Sequence, residues 1–348
     1  MANVVIIGAG VMGSAASVPA ADRGHRVTLA GTHLDRDIVA ALRADRGAHP
    51  RLGAALPQTV QPVDFEALTP ADLAEADLIM VAVSSPGIRW AADLLGRLMT
   101  AERPVALMTK GLDEAGADRP PRIMPAVIAD TLQAKGLGGS PLIGIGGPCI
   151  AKELGLRRLT AVIYGGSDPA AVAAACALMQ TPYYRTHATD DLMGVEVAAP
   201  MKNFMAIAVS AIAARHGAGE NPWSLNAASF GFTQAQQELR RIVGWLGGRD
   251  ATATGLAGMG DLHVTVGGGR NSRLGRHLGR GMTIAQACAG PMAGETVEGV
   301  DTGRALAPGL AAAIRAGRLD AAQLPMTVAL LASILDDAPF TYEPDHLI

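Results

Sequence analysis

Lysine is scarce in this chain: Lys110, Lys135, Lys152 and Lys202 are the whole supply, and arginine carries nearly all the other positive charge. A protein that otherwise uses arginine keeps lysine where a compact, titratable ammonium matters. Reducing a ketone needs such a group, because a proton donor must stand beside the carbonyl oxygen, and a lysine whose pKa is lowered by burial or by a second cation can serve. Lys202 lies in Ala199-Pro200-Met201-Lys202-Asn203-Phe204, near the start of a predicted helix with otherwise apolar surroundings, which favours the interior. The competing reading is a surface lysine with its stem laid on the core. Lys110, in Met108-Thr109-Lys110-Gly111-Leu112, falls just past the C-terminal end of a predicted strand, where ligands of open α/β sheets bind. A plain loop charge is its alternative.

Asp261, in Gly258-Met259-Gly260-Asp261-Leu262, is framed by small residues that allow close backbone approach and a buried carboxylate able to orient an ammonium. A helix N-cap is the other reading of an aspartate in that context. Downstream, Gly268-Gly269-Arg270-Asn271 places a guanidinium and an amide after a flexible turn, a pair suited to bidentate recognition of a phosphate. Arg273 and Arg276 read as ordinary helix-face charges.

Gly8-Ala9-Gly10-Val11-Met12-Gly13 follows an apolar run and opens a helical stretch. In that context Gly8 permits a tight turn, Gly10 lets a pyrophosphate approach the backbone, and Gly13 lets helix and strand pack closely. The unpaired amides at the helix start then hold the anion. An NAD site usually carries an acid about 20 residues on, at the end of the second strand. Ala30, Gly31, Thr32 and His33 stand there instead, and the first acid is Asp35 beside Arg36, so NAD and NADP are both open.

These residues need a scaffold, and the pattern of apolar runs supplies one. Val4 to Ile7, Val27 to Ala30, Leu78 to Val83, Pro104 to Met108, Leu142 to Ile145 and Ala161 to Tyr164 are strand-length runs near Gly, Pro or Ser. Strand, turn and helix alternate, which predicts a doubly wound parallel sheet with crossover helices. After about Thr186 the spacing turns helical, around Met201 to His216, Thr233 to Leu246, Thr302 to Ala316 and Pro325 to Asp336. The fold expected is therefore α/β: a Rossmann-like dinucleotide domain over 1–188 and an all-α domain over 189–348 that binds substrate.

Composition narrows the class. Of 348 residues 49% are hydrophobic but only 3% aromatic, so any core is built from Ala, Val, Leu, Ile and Met. A net charge of -3 argues against nucleic-acid binding, which needs clustered basic residues. Cys149, Cys176 and Cys288 are odd in number and far apart, matching neither a disulfide framework nor a metal site, and they fit a reducing cytosol. The N-terminal apolar run ends at Gly8 with no basic segment ahead of it, unlike a signal peptide. No uninterrupted apolar stretch approaches the ~20 residues that cross a bilayer.

Seven strings then fall in register along nearly the whole chain: Gly8 to Gly13, Thr109-Lys110-Gly111, Gly147-Pro148 with Ala151-Lys152-Glu153, Lys202-Asn203, Ala257 to Leu262, Arg270-Asn271 and Val297-Glu298-Gly299. Together they resemble NAD(P)H-dependent glycerol-3-phosphate dehydrogenase. The resemblance implies a cytoplasmic homodimer that uses NAD or NADP on a small phosphorylated substrate. It assigns Lys202 as proton donor and acceptor, Lys110 to polarise the carbonyl, and Asp261 to position them. Substrate would meet Lys110, Gly147, Lys202, Asn203, Asp261, Thr265, Arg270 and Asn271. The dinucleotide would meet Gly8, Gly10, Val11, Met12, Gly13, Thr32, Lys110, Gly147, Ala151, Arg270, Val297 and Glu298.

The chain departs from the family where Ser or Thr commonly follows Pro148 and Cys149 stands here. Further departures are Ser84-Ser85-Pro86-Gly87 and the loop Gly217 to Trp223. Pro200 also differs, though proline suits a first helical turn. Two other readings remain open at this point: a reductase of the same plan acting on another hydroxy acid or phosphorylated ketone, and a dinucleotide sensor without catalysis.

Overall fold

The computed structural model describes residues 1–44, 48–116, 118–218 and 222–342. They form two compact units, Met1–Lys110 with Met124–Val195, and Gly111–Ile123 with Glu196–Ile348. The strands in chain order are β1 Asn3–Ile7, β2 Arg26–Gly31, β3 Val60–Asp64, β4 Leu78–Val81, β5 Val105–Leu107, β6 Leu112–Asp113, β7 Arg122–Ile123, β8 Leu142–Gly146, β9 Thr160–Gly165 and β10 Tyr184–Thr189.

In the first unit eight strands form one sheet in the order β10-β9-β8-β5-β4-β1-β2-β3. β1 lies inside it, with Val4 opposite both Val27 and Leu78 in parallel register. Side chains alternate across the sheet, so Val4 and Ile6 join one apolar layer with Ala15, Ala16 and Val18 of the helix Val11–Asp22. Val5 and Ile7 join the opposite layer with Ala91 and Leu95 of the helix Ile88–Leu98 and Ile128 of Met124–Ala134. Each Val, Leu or Ile side chain so withdrawn from water contributes about 1.5–3 kcal/mol, and each alanine methyl less. Because both faces are covered, these strands read as continuous apolar runs.

Two strands carry no such run. β3 (VQPVD) and β10 (YRTHAT) are the two edges of the sheet, exposed along part of their length, and β3 holds a proline, which an edge tolerates. The sheet also has one antiparallel junction, β8 against β9, after which β9 and β10 run parallel to each other. No residue pattern in the sequence marks that reversal.

Among the described residues the regular elements of the second unit are helices, apart from the two-residue strands β6 and β7. Its central element is the helix Leu192–Arg215, which begins in the last residues of the first unit. Pro200 sits in the interior of this helix and not in its first turn, so Lys202 is a mid-helix residue. The proline removes one backbone donor, and the loss is tolerated because tertiary packing covers the helix on all sides: Val197, Met201, Phe204, Ile207 and Ala211 are fully buried. By length and hydropathy this helix could cross a membrane, but its apolar window is entirely buried inside the protein. Such all-round apolarity is what a central helix requires.

The near absence of aromatics has its counterpart here. The helix Arg270–Gly279 approaches the central helix so closely that a Cβ on Gly275 would stand 2.2 Å from the Ile207 carbonyl oxygen. Small residues set the spacing, and that spacing brings the polar ends of three helices together.

Candidate active site

In the first unit the chain leaves β1 through Gly8, whose φ of +113° lies in the region that favours glycine. A Cβ there would meet the Ala82 carbonyl oxygen at 2.7 Å, and one on Gly13 would meet Gly8 O at 1.9 Å. Gly10 differs: its φ is -60°, and a Cβ would meet nothing within 4 Å. The space over Gly10 is open while the positions on either side are packed, as the close approach of a pyrophosphate to this backbone requires. Gly10 caps the helix Val11–Asp22 without any side-chain hydrogen bond, and no acidic residue stands in the first turn. The amides of Val11, Met12 and Gly13 stand in the first turn of this helix, at the positive end of its dipole, where negative charge is favoured.

The surroundings of this turn hold residues that the sequence reading undervalued. Asp35 Oδ2 accepts from Ala9 N at 3.2 Å and from both the amide and the hydroxyl of Thr32 at 2.9 Å. The Ala9 carbonyl accepts from Ser14 Oγ at 3.0 Å and lies 3.3 Å from His49 Nε2. Thr32, expected at the dinucleotide, is buried and spends its hydroxyl on Asp35. His33 is exposed and packs edge-on against Trp90. Neither Ser14 nor His49 carries a local motif; only the folded chain brings residue 49 to residue 9.

Lys110 follows β5 and ends the first segment of its unit. Its carbonyl accepts from Ser85 Oγ at 2.6 Å, and Thr109 Oγ1 donates to Val83 O at 2.8 Å. The divergent segment Ser84 to Gly87 therefore supplies a hydroxyl that pins the Lys110 backbone. Gly147 lies just past β8 with φ +122°, Cys149 is half-buried against the core, and Ala151 starts the helix Ala151–Gly155.

In the second unit Lys202 and Asp261 are only 8% and 2% exposed. Lys202 Nζ donates to Asp261 Oδ1 at 2.8 Å and to Thr265 Oγ1 at 2.8 Å, while Thr265 Oγ1 donates onward to the Asp261 carbonyl at 2.7 Å. Asp261 is the first residue of the helix Asp261–Val266, entered from a turn of π-helix, Leu256–Gly260, a distortion frequent at functional sites. It is an ion-pair partner here, and Gly260 holds the N-cap position.

On the residue after Lys202, Asn203 Nδ2 donates to Glu298 Oε2 at 2.9 Å, and Asn203 Oδ1 accepts from Asn271 Nδ2 at 3.0 Å. Asn271 Oδ1 accepts from Gly299 N at 2.9 Å. Arg270 Nη2 lies 3.3 Å from Glu298 Oε1, with its side chain half exposed. Val297 is buried at the N-cap of Glu298–Arg315. Lys202, Asp261 and Thr265 thus form one hydrogen-bonded cluster, and Asn203, Asn271, Glu298 and Arg270 form a second beside it. Arg273 instead pairs with Glu295, and Arg276 lies over the Trp223 ring. Of the divergent loop Gly217 to Trp223, residues 219–221 lie outside the described residues.

Known proteins share this arrangement of sequence and fold. Two family models match, the NAD-dependent glycerol-3-phosphate dehydrogenase N-terminus over residues 3–172 and its C-terminus over 191–336. A glycerol-3-phosphate dehydrogenase [NAD(P)+] of Methylobacterium radiotolerans is 35% identical over 95% of this chain and 93% of its own length. An NADP(+)-dependent glycerol-3-phosphate dehydrogenase of Archaeoglobus fulgidus is 32% identical over 82% of each chain. The crystal structure of glycerol-3-phosphate dehydrogenase from Coxiella burnetii superposes with a TM-score of 0.78 at 26% identity, covering 97% of this chain and 96% of that one. A glycine turn open over Gly10, a buried Lys202–Asp261 pair, and matches of this reach in both sequence and fold make the chain a member of the NAD-dependent glycerol-3-phosphate dehydrogenase family.

Proposed function

We propose that this protein catalyses reversible hydride transfer between NAD(P)H and dihydroxyacetone phosphate, giving sn-glycerol 3-phosphate. The observation that carries the reading is the buried Lys202–Asp261–Thr265 cluster: an ammonium held in a fixed orientation by a carboxylate and a hydroxyl, almost out of reach of water. A sensor without catalysis has no use for it.

The amides of Val11, Met12 and Gly13 hold the dinucleotide phosphates, and Gly10 leaves room for them. The bound nicotinamide supplies the hydride that reaches the carbonyl carbon. Lys202 Nζ donates a proton to the carbonyl oxygen as negative charge develops there, a contribution of about 10²- to 10⁴-fold in rate. Asp261 and Thr265 keep that ammonium from rotating, so little reorganisation accompanies the step. In the reverse direction Lys202 accepts the proton from the hydroxyl. The family resemblance gives Lys110 the role of polarising the carbonyl.

Asn203 and Asn271 bind the substrate through polar groups already aligned by each other, and Arg270 takes its phosphate. Arg270 is held to Glu298 only by a solvent-exposed pair, which is worth about 0–1 kcal/mol. A dianionic phosphate draws it away at little cost. Gly147, Ala151, Val297 and Glu298 complete the dinucleotide contacts in this reading. The same reading makes the protein a cytoplasmic homodimer; Cys149, Cys176 and Cys288, none of them in a disulfide, suit a reducing compartment.

The test is to follow NADH and NADPH absorbance with the purified protein and a panel of small ketones. Steady oxidation that requires dihydroxyacetone phosphate supports the assignment. Equal rates with an unphosphorylated hydroxy-acid precursor would overturn it. Light scattering of the same sample reports the oligomeric state.

A further inference from the structure

The two peptide units on either side of Ala9 are held by side chains from three separate parts of the first unit. Asp35, from the loop after β2, accepts the Ala9 N–H through Oδ2, which also takes the Thr32 amide and hydroxyl. Ser14, from the helix that opens the turn, donates to the Ala9 carbonyl. His49, 5% exposed, reaches the same carbonyl with Nε2.

The tautomer of His49 follows from its other nitrogen. Nδ1 accepts the backbone N–H of Arg51 at 3.0 Å and of Leu52 at 3.1 Å. A nitrogen accepting two amides bears no proton, so the single proton of the neutral ring sits on Nε2 and is donated to Ala9 O. A second proton would have to stand on Nδ1, facing two donors.

We infer that His49 and Asp35 are positioning residues for dinucleotide binding: they fix the backbone on both sides of Ala9, and only the neutral His49 tautomer does so. This rests on the dinucleotide reading of the glycine turn. It also gives Asp35 a role other than reading the adenosine ribose, because its Oδ2 is committed to three donors of its own chain.

Among the described residues, the charged groups facing His49 are Arg51 on its own loop and Asp35 from the loop after β2. Burial is the largest influence and holds the imidazole below its ordinary pKa; the Ala9 carbonyl and Asp35 oppose this, and Arg51 adds to it. A lowered histidine pKa means the neutral form is the folded one. Its contribution is complete above about pH 6.5, the ordinary histidine pKa, and is lost as pH falls through the lower folded value.

The experiment titrates NADPH and NADH by protein fluorescence against the full-length chain and three variants between pH 7.5 and 5. At pH 7.5 His49→Leu raises the Kd for both dinucleotides about tenfold, the effect of losing one buried hydrogen bond. His49→Gln, which keeps a donor at the Nε2 position but has no proton to gain, stays within about threefold of the parent. Between pH 7.5 and 5 the parent Kd rises about fivefold more than that of His49→Gln. Asp35→Ala weakens NADH and NADPH by the same factor. At saturating dinucleotide kcat stays within about twofold throughout, because no reacting atom is touched.

Parallel pH profiles for the parent and His49→Gln would overturn the tautomer argument. An Asp35→Ala variant that loses NADH alone would overturn the positioning role, since that is the signature of an acid on the ribose. Failure of the parent itself to bind either dinucleotide would remove the functional reading, and this inference with it.

Discussion

Lys202 Nζ stands 2.8 Å from Asp261 Oδ1, with side-chain exposures of 10% and 3%. Two charges so removed from water stay together because each is the other's compensation, and removing one strands its partner at a cost of about 3–5 kcal/mol. Lys202→Ala therefore loses turnover by at least about 10²-fold and also lowers Tm. NADPH affinity stays close to the parent value, because the glycine turn is untouched. A double variant, Lys202→Met with Asp261→Leu, regains most of the lost Tm while staying inactive. Absorbance assays, fluorescence titration and thermal unfolding separate these three effects. Joint loss of turnover and dinucleotide binding in Lys202→Ala would count against its assigned role.

The three glycines of the opening turn respond differently to one added methyl. Gly10→Ala places its Cβ in open space at an ordinary φ, so thermal unfolding barely moves while the Kd for NADPH rises about tenfold or more. Gly8→Ala meets the Ala82 carbonyl at 2.7 Å in a left-handed conformation, and Gly13→Ala meets Gly8 O at 1.9 Å. Both lower Tm and lose binding together. A destabilised Gly10→Ala would mean that the space above that residue is not the cofactor's.

Arg270 contributes little to stability and much to substrate affinity. Its exposed pair with Glu298 is weak, whereas a charge-assisted contact to phosphate is worth about 1.5–3 kcal/mol. Arg270→Ala raises KM for dihydroxyacetone phosphate about 10- to 100-fold, with Tm nearly unchanged. Arg270→Lys recovers only part of this, since a single ammonium cannot form the two-pronged contact. An unchanged KM in Arg270→Ala removes the phosphate assignment.

Glu238 supplies a pH signature unrelated to catalysis. Its carboxyl is buried in the second unit, and it accepts from Gln234 Nε2, the Met326 and Thr327 amides and the Thr327 hydroxyl. Burial, the largest influence, raises its pKa, and those four donors oppose the rise. A carboxyl whose pKa is higher in the folded state binds its proton more tightly there. Its favourable contribution is thus full below the ordinary glutamate pKa of about 4.3 and disappears as pH rises through the folded value. Measured by denaturant, the stability difference between the parent and Glu238→Gln shifts toward the parent as pH falls from 7 to 4. A constant difference would place the proton equilibrium elsewhere.

The sequence by itself determined the parts that are local. Gly8 to Gly13 after Val4 to Ile7 specifies a turn and a helix start, because only glycine accepts the φ at position 8 and the contact at position 13. The buried inner strands declared themselves as apolar runs, and Pro325 to Asp336 is a helix over the same residues that its spacing predicts. What the sequence left open are features fixed by partners far along the chain. β3 and β10 lack an apolar signature because each lies at an edge of the sheet. The reversal at β8–β9 is a matter of pairing, and the helix around Lys202 runs through Pro200 because surrounding elements bury it. Asp35 and His49 reach Ala9 across 26 and 40 residues, and Lys202 meets Asp261 across 59. A residue type states what chemistry a side chain can do, but a hydrogen bond also needs its partner within about 3 Å, and for these pairs only tertiary packing supplies that distance.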